Sequence, residues 1–466
     1  MSVSIIFGPP GTGKTTKLMD LLEEELKTVH PSQIAYVSFT KAGANQGRLR
    51  AMERFNYSGD DFKYFRTLHS MAFQALGLKR SGVMAPKHYK LFSKKMGMHF
   101  VGYYTEDLTN ADDKYLFFDE LYRNNPTEAK LYLENMDVET LQFVRNNYRK
   151  FKKTFALVDY TDMVHMFNER NESIPVRVAF VDEAQDLTTL QWRMVWTAFK
   201  HCERIYIAGD DDQAIYQWSG ADVNYFLDVQ GDITVLRHSY RLPDDVLNFS
   251  KRITKNISRR ATKDYEGTGI KGTVTVVNSV AEIPLNDTET FMFLSRNNVF
   301  LKTVEEHLML KKVIFSRKGV SSISEKDVKA IKTYERIRRT HIATNDDQFD
   351  LLWCLNKGYS LLDPWYESFN WPVEKINYIR DLIERKVKIS EPKISIGTIH
   401  SVKGAEADNV VILLDVTKSV HENIQRQPDA EHRVFYVGCT RAKKNLYIVN
   451  SNSRYAYPME VGGKLC

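Results

Sequence analysis

Short apolar runs alternate with longer polar, helix-prone stretches from the first residues of the chain onward. The first two runs span residues 3–7 and 34–39, and two more span 178–181 and 205–208. Runs of this length are typical of strands that are buried on both faces, and the stretches between them are long enough for crossover helices. The alternation therefore predicts a parallel sheet covered by helices on both sides.

The pattern changes twice along the chain, which predicts two α/β lobes with an insertion in each. Residues 77–156 are rich in Lys, Tyr, Asn and acidic residues at helical spacing, and strand-like runs return from about residue 234. Those later runs lie at 274–277, 291–294, 313–315, 394–396 and 410–414. The predicted domains are a first lobe (1–76 and 157–232), its mostly helical insertion (77–156), a second lobe (233–355 and 393–466) and a short insertion in it (356–392).

Composition narrows the class of protein only slightly. The 466 residues are 43% hydrophobic, which is ordinary for globular domains, and the net charge of +6 permits a nucleic-acid partner without requiring one. The four cysteines form no CxxC pair, so neither a disulfide framework nor a zinc site is expected. No secretory signal pattern and no run near the roughly 20 apolar residues of a membrane span is present. We therefore expect a cytoplasmic protein with no membrane partner.

A glycine-rich loop follows the first apolar run. Residues 8–15 match the pattern G-x-x-x-x-G-K-T and stand between a predicted strand and a predicted helix, the setting that this phosphate-binding motif requires. Glycines let backbone N–H groups converge on phosphates, and the helix N-terminus adds its positive end. Lys14 should reach the β- and γ-phosphates, and Thr15 should ligate Mg²⁺. The predicted contacts to the nucleotide in this loop are Gly8, Pro9, Pro10, Gly11, Thr12, Gly13, Lys14, Thr15 and Thr16. The loop alone does not separate a kinase, transporter, GTPase or helicase.

Acidic and amide side chains follow the next apolar runs. Asp182 directly follows the run at 178–181 and is placed to hold Mg²⁺, and the adjacent Glu183 is the natural general base for an attacking water. This adjacent pair favours hydrolysis over phosphoryl transfer to an alcohol. Gln213, which follows the run at 205–208, can contact the γ-phosphate as water-orienting glutamines do. Tyr216 and Trp218 lie just beyond it and offer flat faces for stacking on bases.

Taken in order, these segments resemble the motifs of UvrD/Rep/PcrA-type helicases of superfamily 1. The resemblance covers most of the chain and implies an α/β fold of two RecA-like P-loop NTPase lobes. The matching segments are 8–15 (motif I), 38–42 (Ia), 67–70 (Ib), 159–162 (the acidic-aromatic stretch before motif II), 182–186 (II), 209–221 (III), 239–241 (IV), 398–406 (V) and 431–442 (VI).

The resemblance implies further roles for single residues. Tyr240 would stack on the adenine, and Glu406 would contact the ribose side of the nucleotide. Arg241 and Arg441, both from the second lobe, would reach the γ-phosphate as arginine fingers. The implied catalytic set is Lys14, Glu183, Gln213, Arg241 and Arg441. The implied single-strand track is Phe39, Thr67, His69, Tyr216, Trp218, Arg296 and His400.

Two features depart from the family pattern. Motif III ends Trp-Ser-Gly-Ala, with Ser219 where the family has arginine, so a cationic contact is lost and the coupling between ATP and DNA is expected to differ. The second insertion, predicted at 356–392, is much shorter than in relatives, where it is regulatory.

The function implied by the resemblance is an ATP-dependent DNA helicase that uses Mg²⁺ and moves on single-stranded DNA. Its partners would be single-stranded DNA and duplex/single-strand junctions, and its direction of travel would be 3′→5′, which the residues themselves do not set. The sequence is compatible with a monomer and does not identify a protein loading partner. The short second insertion keeps an alternative open, a single-strand DNA translocase that displaces bound proteins without efficient unwinding. A nucleotide-gated binding module without catalysis is disfavoured because the catalytic set is complete, and a small-molecule kinase would lack the later motifs.

Overall fold

Two units make up the chain in its computed structural model. Unit 1 comprises Met1–Ile270 with Gln427–Val437, and unit 2 comprises Lys271–Arg426 with Gly438–Cys466. The structure describes residues 1–102, 104, 110–133, 136–387, 392–451, 453–461 and 464–465. Within those ranges, no helix combines the length and the apolar character that crossing a membrane requires.

Unit 1 is built on a six-stranded sheet in which every strand pairing is parallel. The strand order is β3-β2-β4-β5-β1-β6, and the interior strands β2 and β4 are buried along their whole length. The four apolar runs predicted as strands coincide with β1, β2, β4 and β5. The strands are β1 (Ser2–Phe7), β2 (Ile34–Ser38), β3 (Tyr64–Arg66), β4 (Val178–Asp182), β5 (Arg204–Gly209) and β6 (Asp232–Val235).

Helices cover both faces of this sheet. Ile5 and Phe7 of β1 pack into the core on one face, whereas Ile6 packs into a separate core on the other. This alternation follows from the two-residue period of a strand and confirms the predicted parallel sheet with two buried faces. The helices are α1 (Lys14–Leu26), α2 (Lys41–Phe55), α3 (Leu68–Ala75), α4 (Pro86–Met96), α5 (Asp113–Asn124), α6 (Pro126–Leu133), α7 (Val138–Thr154), α8 (Tyr160–Arg170), α9 (Thr189–Ala198), α10 (Val223–Asp228) and α11 (Asp244–Thr254).

Helices α4 to α7 form a subdomain with a core of its own, in the segment predicted as a helical insertion at 77–156. Phe92 of α4 contacts Tyr148 and Phe151 of α7, with ring centroids 5.4 and 5.2 Å apart. Buried Lys152, near the end of α7, pairs with Asp159 at 2.6 Å, and this ion pair connects the subdomain to the start of α8. Residues 103, 105–109, 134 and 135 of the predicted insertion lie outside the described residues.

Unit 1 continues past the predicted lobe boundary between residues 232 and 233. That boundary falls inside β6, which pairs with β1, so it divides a strand of the first sheet. The following residues also pack on unit 1: the Ser239 hydroxyl donates to the Pro10 carbonyl at 2.7 Å. Arg241, predicted to come from the second lobe, therefore belongs to unit 1 by its contacts.

Unit 2 contains a seven-stranded sheet of order β10-β9-β11-β8-β12-β13-β7. All of its pairings are parallel except that of β10 with β9, which confirms the second predicted α/β lobe. The strands are β7 (Thr273–Val277), β8 (Phe291–Ser295), β9 (Phe315–Arg317), β10 (Val320–Ser321), β11 (Ile394–Thr398), β12 (Ala407–Leu413) and β13 (Ala442–Val449), followed by a separate ribbon of β14 (Glu460–Val461) and β15 (Lys464–Leu465).

The helices of unit 2 show that its insertion is longer than predicted. They are α12 (Leu301–Leu310), α13 (Glu325–Thr340), α14 (Asn345–Leu351), α15 (Trp365–Ser368), α16 (Val373–Glu384) and α17 (Lys418–Arg426), and α18 (Pro428–Cys439) begins in unit 1 and ends in unit 2. Tyr334 of α13 packs with Trp365 and Phe369 in one helical core, so the insertion begins at α13 and not at residue 356. Nine of the sixteen residues of α13 are charged, so its narrow apolar stripe is not evident from the sequence. Residues 388–391 of the predicted insertion lie outside the described part of the chain.

Candidate nucleotide and nucleic-acid site

The glycine-rich loop joins the end of β1 to the start of α1, as the motif predicts. The Gly8 N–H donates to the Gly209 carbonyl at the end of β5 (3.0 Å), and the Thr12 hydroxyl closes the loop on the Pro9 carbonyl (2.8 Å). Gly13 adopts a φ of 79° immediately before α1, a left-handed conformation that glycine accepts without steric cost. The loop therefore presents the free N–H groups of a helix start at the end of the sheet, the arrangement that binds phosphate.

Lys14 folds back over this loop. Its ammonium donates to the Gly8 carbonyl at 2.9 Å, and a Cβ placed on Gly8 would lie only 1.9 Å from Lys14 Cγ. Gly8 is thus required by the path of the lysine side chain. The ammonium is held at the mouth of the loop, where a bound triphosphate would meet it.

Asp182 is buried at the end of β4. Its Oδ2 accepts from the Tyr36 hydroxyl at 2.6 Å, and its Oδ1 accepts from the Glu183 N–H at 2.9 Å. Burial, followed by the charge of Glu183, raises the pKa of Asp182 to about 6, and the nearby charge of Lys14 acts in the opposite direction. The Asp182 carboxylate and the Thr15 hydroxyl are hard oxygen donors, so this donor set fits Mg²⁺.

The chain turns sharply at Glu183, which has a left-handed φ of 54°. For a residue other than glycine this conformation costs about 1 kcal/mol or more, and such strain is concentrated at functional sites. Gln185 Nε2 donates to Glu183 Oε2 at 2.6 Å, and Gln185 Oε1 accepts from the Asp210 N–H at 3.0 Å. Gln185, which sequence reasoning did not select, therefore ties the candidate base to the end of β5.

Gln213 is held by the first of three consecutive aspartates. Its amide donates to Asp210 Oδ2 at 2.6 Å, and Asp210 Oδ1 accepts from Lys263 at 2.7 Å. The Lys263 ammonium also lies 2.5 Å from Asp211 and 2.8 Å from Asp212, and none of these four side chains is exposed to solvent. Burial opposes the charge on this ammonium, but the three carboxylates outweigh it and raise the pKa of Lys263.

We call Lys263 and its three aspartate partners (Asp210, Asp211 and Asp212), together with Arg260, the Lys263 cluster. Arg260 pairs with Asp212 at 2.5 Å. Arg433 of α18 donates to the Asp211 backbone carbonyl at 2.8 Å, so the first part of the predicted motif VI packs beneath motif III. Sequence reasoning missed Lys263 and Arg433, although three successive aspartates after a buried strand are a signal that cationic partners are needed.

Tyr240 and Arg241 lie against the glycine-rich loop. The Tyr240 N–H donates to the Gly11 carbonyl at 2.9 Å, and a Cβ on Gly11 would come within 2.5 Å of Arg241 Cβ. The Tyr240 ring is 75% exposed and meets the His238 ring edge-on. The structure therefore brings the predicted adenine-stacking ring and one predicted arginine finger to the phosphate loop.

Three residues that are predicted to line the single-strand track take part in two aromatic pairs in unit 1. Phe39 and Tyr216 stack with ring centroids 5.4 Å apart, and His69 meets Tyr160 edge-on at 5.5 Å. Burial lowers the pKa of His69 to about 4, so its ring is neutral at pH 7. Thr67 caps the start of α3 and fixes the position of His69. Tyr160 is 61% exposed and was not selected from the sequence, although it lies in the acidic-aromatic stretch before motif II.

Trp218 has a different partner from the other predicted track residues. Its indole stacks on Phe117 of α5, with centroids 6.3 Å apart, and packs against the core of the inserted subdomain. Asn125 Nδ2 donates to the Gly220 carbonyl at 3.3 Å in the same region. The segment that begins at Gln213 therefore ends on the inserted subdomain.

Four predicted site residues lie in unit 2, at two edges of its sheet. Arg296 and His400 follow β8 and β11, which are neighbouring parallel strands, so they lie at the carboxyl edge. Glu406 and Arg441 directly precede β12 and β13, and the Ala407 N–H donates to the Arg441 carbonyl at 3.1 Å. A strand of five residues spans about 16 Å, and this length separates the two edges. Within this unit, the two residues predicted for the single-strand track therefore lie apart from the two predicted for the nucleotide.

Two segments of the chain match models of known protein families. Residues 2–234 match the UvrD/REP helicase N-terminal domain. Residues 393–449 match the UvrD-like helicase C-terminal domain. The first match alone covers half of the chain.

Individual relatives are distant in sequence. A probable DNA helicase of Mycoplasma pneumoniae is 22% identical, over 96% of this chain and 80% of the relative. The ATP-dependent DNA helicase PcrA of Bacillus subtilis is 21% identical (76% of this chain, 53% of the relative), and Rep of Buchnera aphidicola is 20% identical (76% and 59%). The chain thus spans little more than half the length of the PcrA and Rep relatives. An arterivirus helicase, nonstructural protein 10, aligns over 97% of this chain and 61% of its own at 12% identity, with a TM-score of 0.37 that is too low to indicate a shared arrangement.

Proposed function

This chain belongs to the UvrD/REP helicase family, and from that membership we propose that it is a motor that hydrolyses ATP to move along single-stranded DNA and to separate duplex strands. The observation that carries the proposal is the segment 213–218 of unit 1. It places a candidate γ-phosphate contact, Gln213, three residues from Tyr216, which stacks on Phe39. A change at the phosphate can therefore be transmitted to a base-stacking ring over one short stretch of backbone.

The hydrolytic step follows from the residues around the loop. The loop N–H groups and Lys14 bind the phosphates, and Arg241 adds a positive charge where negative charge develops. Glu183 accepts a proton from the attacking water, and Gln185 holds its carboxylate in place. Mg²⁺, held by Asp182 and Thr15, would offset the charge of the phosphate oxygens.

ATP hydrolysis is coupled to movement along DNA through a change in conformation. ATP favours one conformation of the protein because the phosphates gain contacts there, and hydrolysis removes that preference. The roles of Arg441 and Glu406 at the nucleotide, and of Arg296 and His400 on the strand, are those that the family resemblance implies. Travel in the 3′→5′ direction is also proposed on that resemblance.

Two assays test this function. ATPase activity is expected to rise by roughly tenfold or more when single-stranded DNA is added, within the usual range for coupled sites. Duplexes with a 3′ tail should be separated with ATP, and duplexes with a 5′ tail should not. Stimulated ATPase without strand separation would favour the alternative, a translocase that displaces bound proteins. ATPase activity that is indifferent to DNA would reject both.

Replacing Tyr240 by alanine is expected to raise the KM for ATP by roughly tenfold or more with little change in kcat. The exposed ring lies beside the loop and can stack on a base, an interaction worth about 1–3 kcal/mol, while no reacting atom is touched. Steady-state kinetics with ATP measure the effect, and Tyr240→Phe is the matched control that keeps the ring and should keep the KM. An unchanged KM in the alanine variant would remove Tyr240 from the nucleotide site.

A further inference from the structure

Tyr36, in the middle of β2, connects that strand to the candidate Mg²⁺ ligand at the end of β4. The two strands are parallel neighbours, and their register places Tyr36 opposite Phe180 and Ser38 opposite Asp182. The tyrosine side chain is fully buried and extends past this two-residue offset, so that its hydroxyl donates to Asp182 Oδ2 at 2.6 Å. A core side chain of one strand thus contacts the carboxylate of the next.

The Tyr36 ring is held in place on several sides. The rings of Phe65 and Phe180 stack on it, with centroids 5.4 and 6.3 Å away. Helix α2 approaches the ring edge so closely that a Cβ placed on Gly47 would lie 2.7 Å from Tyr36 Cε1. Glycine inside a helix is destabilising relative to alanine, so its presence here is explained by the space that the ring occupies. The position of the hydroxyl is therefore fixed by the packing around the ring.

The Asp182 carboxylate accepts one hydrogen bond on each oxygen, from the Tyr36 hydroxyl on Oδ2 and from the Glu183 N–H on Oδ1 (2.9 Å). The short bond from Tyr36 has the length of a charge-assisted O–H···O⁻ hydrogen bond. A carboxylate oxygen has about two lone-pair sites, so each oxygen keeps one site for a metal ion or for its bound water. The two bonds together fix the rotation of the carboxylate about its side chain.

Hydrogen-bond partners behind a metal ligand orient that ligand and tune its affinity for the metal. Resting on the proposed function, in which Asp182 holds Mg²⁺, we propose that Tyr36 is a positioning residue whose hydroxyl holds the Asp182 carboxylate in the orientation that binds Mg²⁺ together with ATP. Because Tyr36 acts through Asp182, its loss should weaken metal binding more than it slows the chemical step.

The test is the Tyr36→Phe variant of the full chain, which keeps the ring and removes only the hydroxyl. Fluorescence titration would measure its affinity for a fluorescent, non-hydrolysable ATP analogue in Mg²⁺ and again in EDTA, so that no turnover is involved. In Mg²⁺ the Kd is expected to rise by roughly tenfold relative to the parent, and in EDTA it should stay within about twofold. In the ATPase assay, the half-saturating Mg²⁺ concentration should also rise by roughly tenfold, whereas kcat at saturating Mg²⁺ should stay within about threefold.

Tyr206→Phe is the matched control. The Tyr206 ring also stacks on Phe180, with centroids 4.9 Å apart, and its hydroxyl also donates to a carboxylate, Glu25 Oε1, at 2.7 Å. The control therefore removes the same group from the same core without touching Asp182, and both affinities should match those of the parent. Thermal unfolding of the two variants compares their stability.

A double variant shows whether Tyr36 acts through Asp182. Asp182→Asn removes the charged ligand and should eliminate most of the gain in affinity that Mg²⁺ gives. Adding Tyr36→Phe to Asp182→Asn should then cause no further loss, because the two residues act as one unit.

Four results would contradict the inference: an unchanged Kd in Mg²⁺, an equal rise in Tyr206→Phe, an equal rise in EDTA, or losses that add in the double variant. Failure of the proposed function looks different, since the parent protein itself would then bind the analogue no better in Mg²⁺ than in EDTA and would show no ATPase stimulation by single-stranded DNA.

Discussion

Glu183→Gln is expected to lower the kcat for ATP hydrolysis by about 100- to 10,000-fold, the usual contribution of a general base. The amide is nearly identical in shape to the carboxylate but cannot accept the proton of the attacking water. Its carbonyl oxygen can still accept the hydrogen bond from Gln185 Nε2, so the strained turn at Glu183 should persist. Affinity for ATP should therefore remain within a few fold. Single-turnover hydrolysis and binding of a fluorescent ATP analogue measure the two quantities separately.

Two further variants make that result specific. Lys14→Ala removes the ammonium held at the loop and should lose nucleotide binding as well as turnover. Glu172→Gln changes an exposed glutamate elsewhere in unit 1 and should leave kcat unchanged. Full ATPase activity in the Glu183→Gln protein would exclude Glu183 as the base.

The parts of the fold that the sequence predicts well are those set by local pattern. The strands β1, β2, β4 and β5 are short apolar runs buried on both faces, so their residue types alone identify them. The phosphate loop is also local, since Gly13 must adopt a left-handed φ just before α1 and Lys14 must pass over Gly8. Spacing along the chain is enough to specify such a geometry.

Other features depend on residues far apart in sequence. Lys263 lies 53 positions beyond Asp210, and nothing in its own neighbourhood marks it as a fully buried cation. The stacking of Trp218 on Phe117 joins motif III to an inserted helix, a contact that only the tertiary fold creates. The extent of α13 was missed for a related reason, because its apolar residues pack in a core with Trp365 and Phe369, which follow much later in the chain.

These long-range contacts also suggest how hydrolysis reaches the rest of unit 1. Gln185 connects Glu183 to the Asp210 backbone, and the Asp210 side chain holds Gln213. Largely buried, hydrogen-bonded polar networks of this kind are rigid and have few alternative arrangements. If Gln213 contacts the γ-phosphate as proposed, a change there would displace the segment 213–218 as one piece, together with the rings of Tyr216 and Trp218.

Lys263→Met is expected to destabilise unit 1 by about 3–5 kcal/mol, the usual cost of removing one partner from a buried charge cluster. Methionine matches the length of the lysine stem, so the loss is mainly electrostatic. Asp210, Asp211 and Asp212 would remain buried, and among the described ion pairs of the cluster only that of Arg260 with Asp212 would persist. Urea unfolding followed by tryptophan fluorescence, to which Trp192 contributes from the core of unit 1, reports the change.

Two comparisons separate the electrostatic cause from a general effect of the substitution. Lys255→Met alters an exposed lysine just after α11 and should change stability by no more than about 0.5 kcal/mol. Adding Asp211→Asn to Lys263→Met removes one uncompensated carboxylate, so the double variant should recover part of the lost stability. A loss below about 1 kcal/mol in Lys263→Met would mean that water or rearranged side chains solvate the three aspartates. In that case the Lys263 cluster could not be what holds Gln213 in place, because Asp210 would keep its position without its cationic partner.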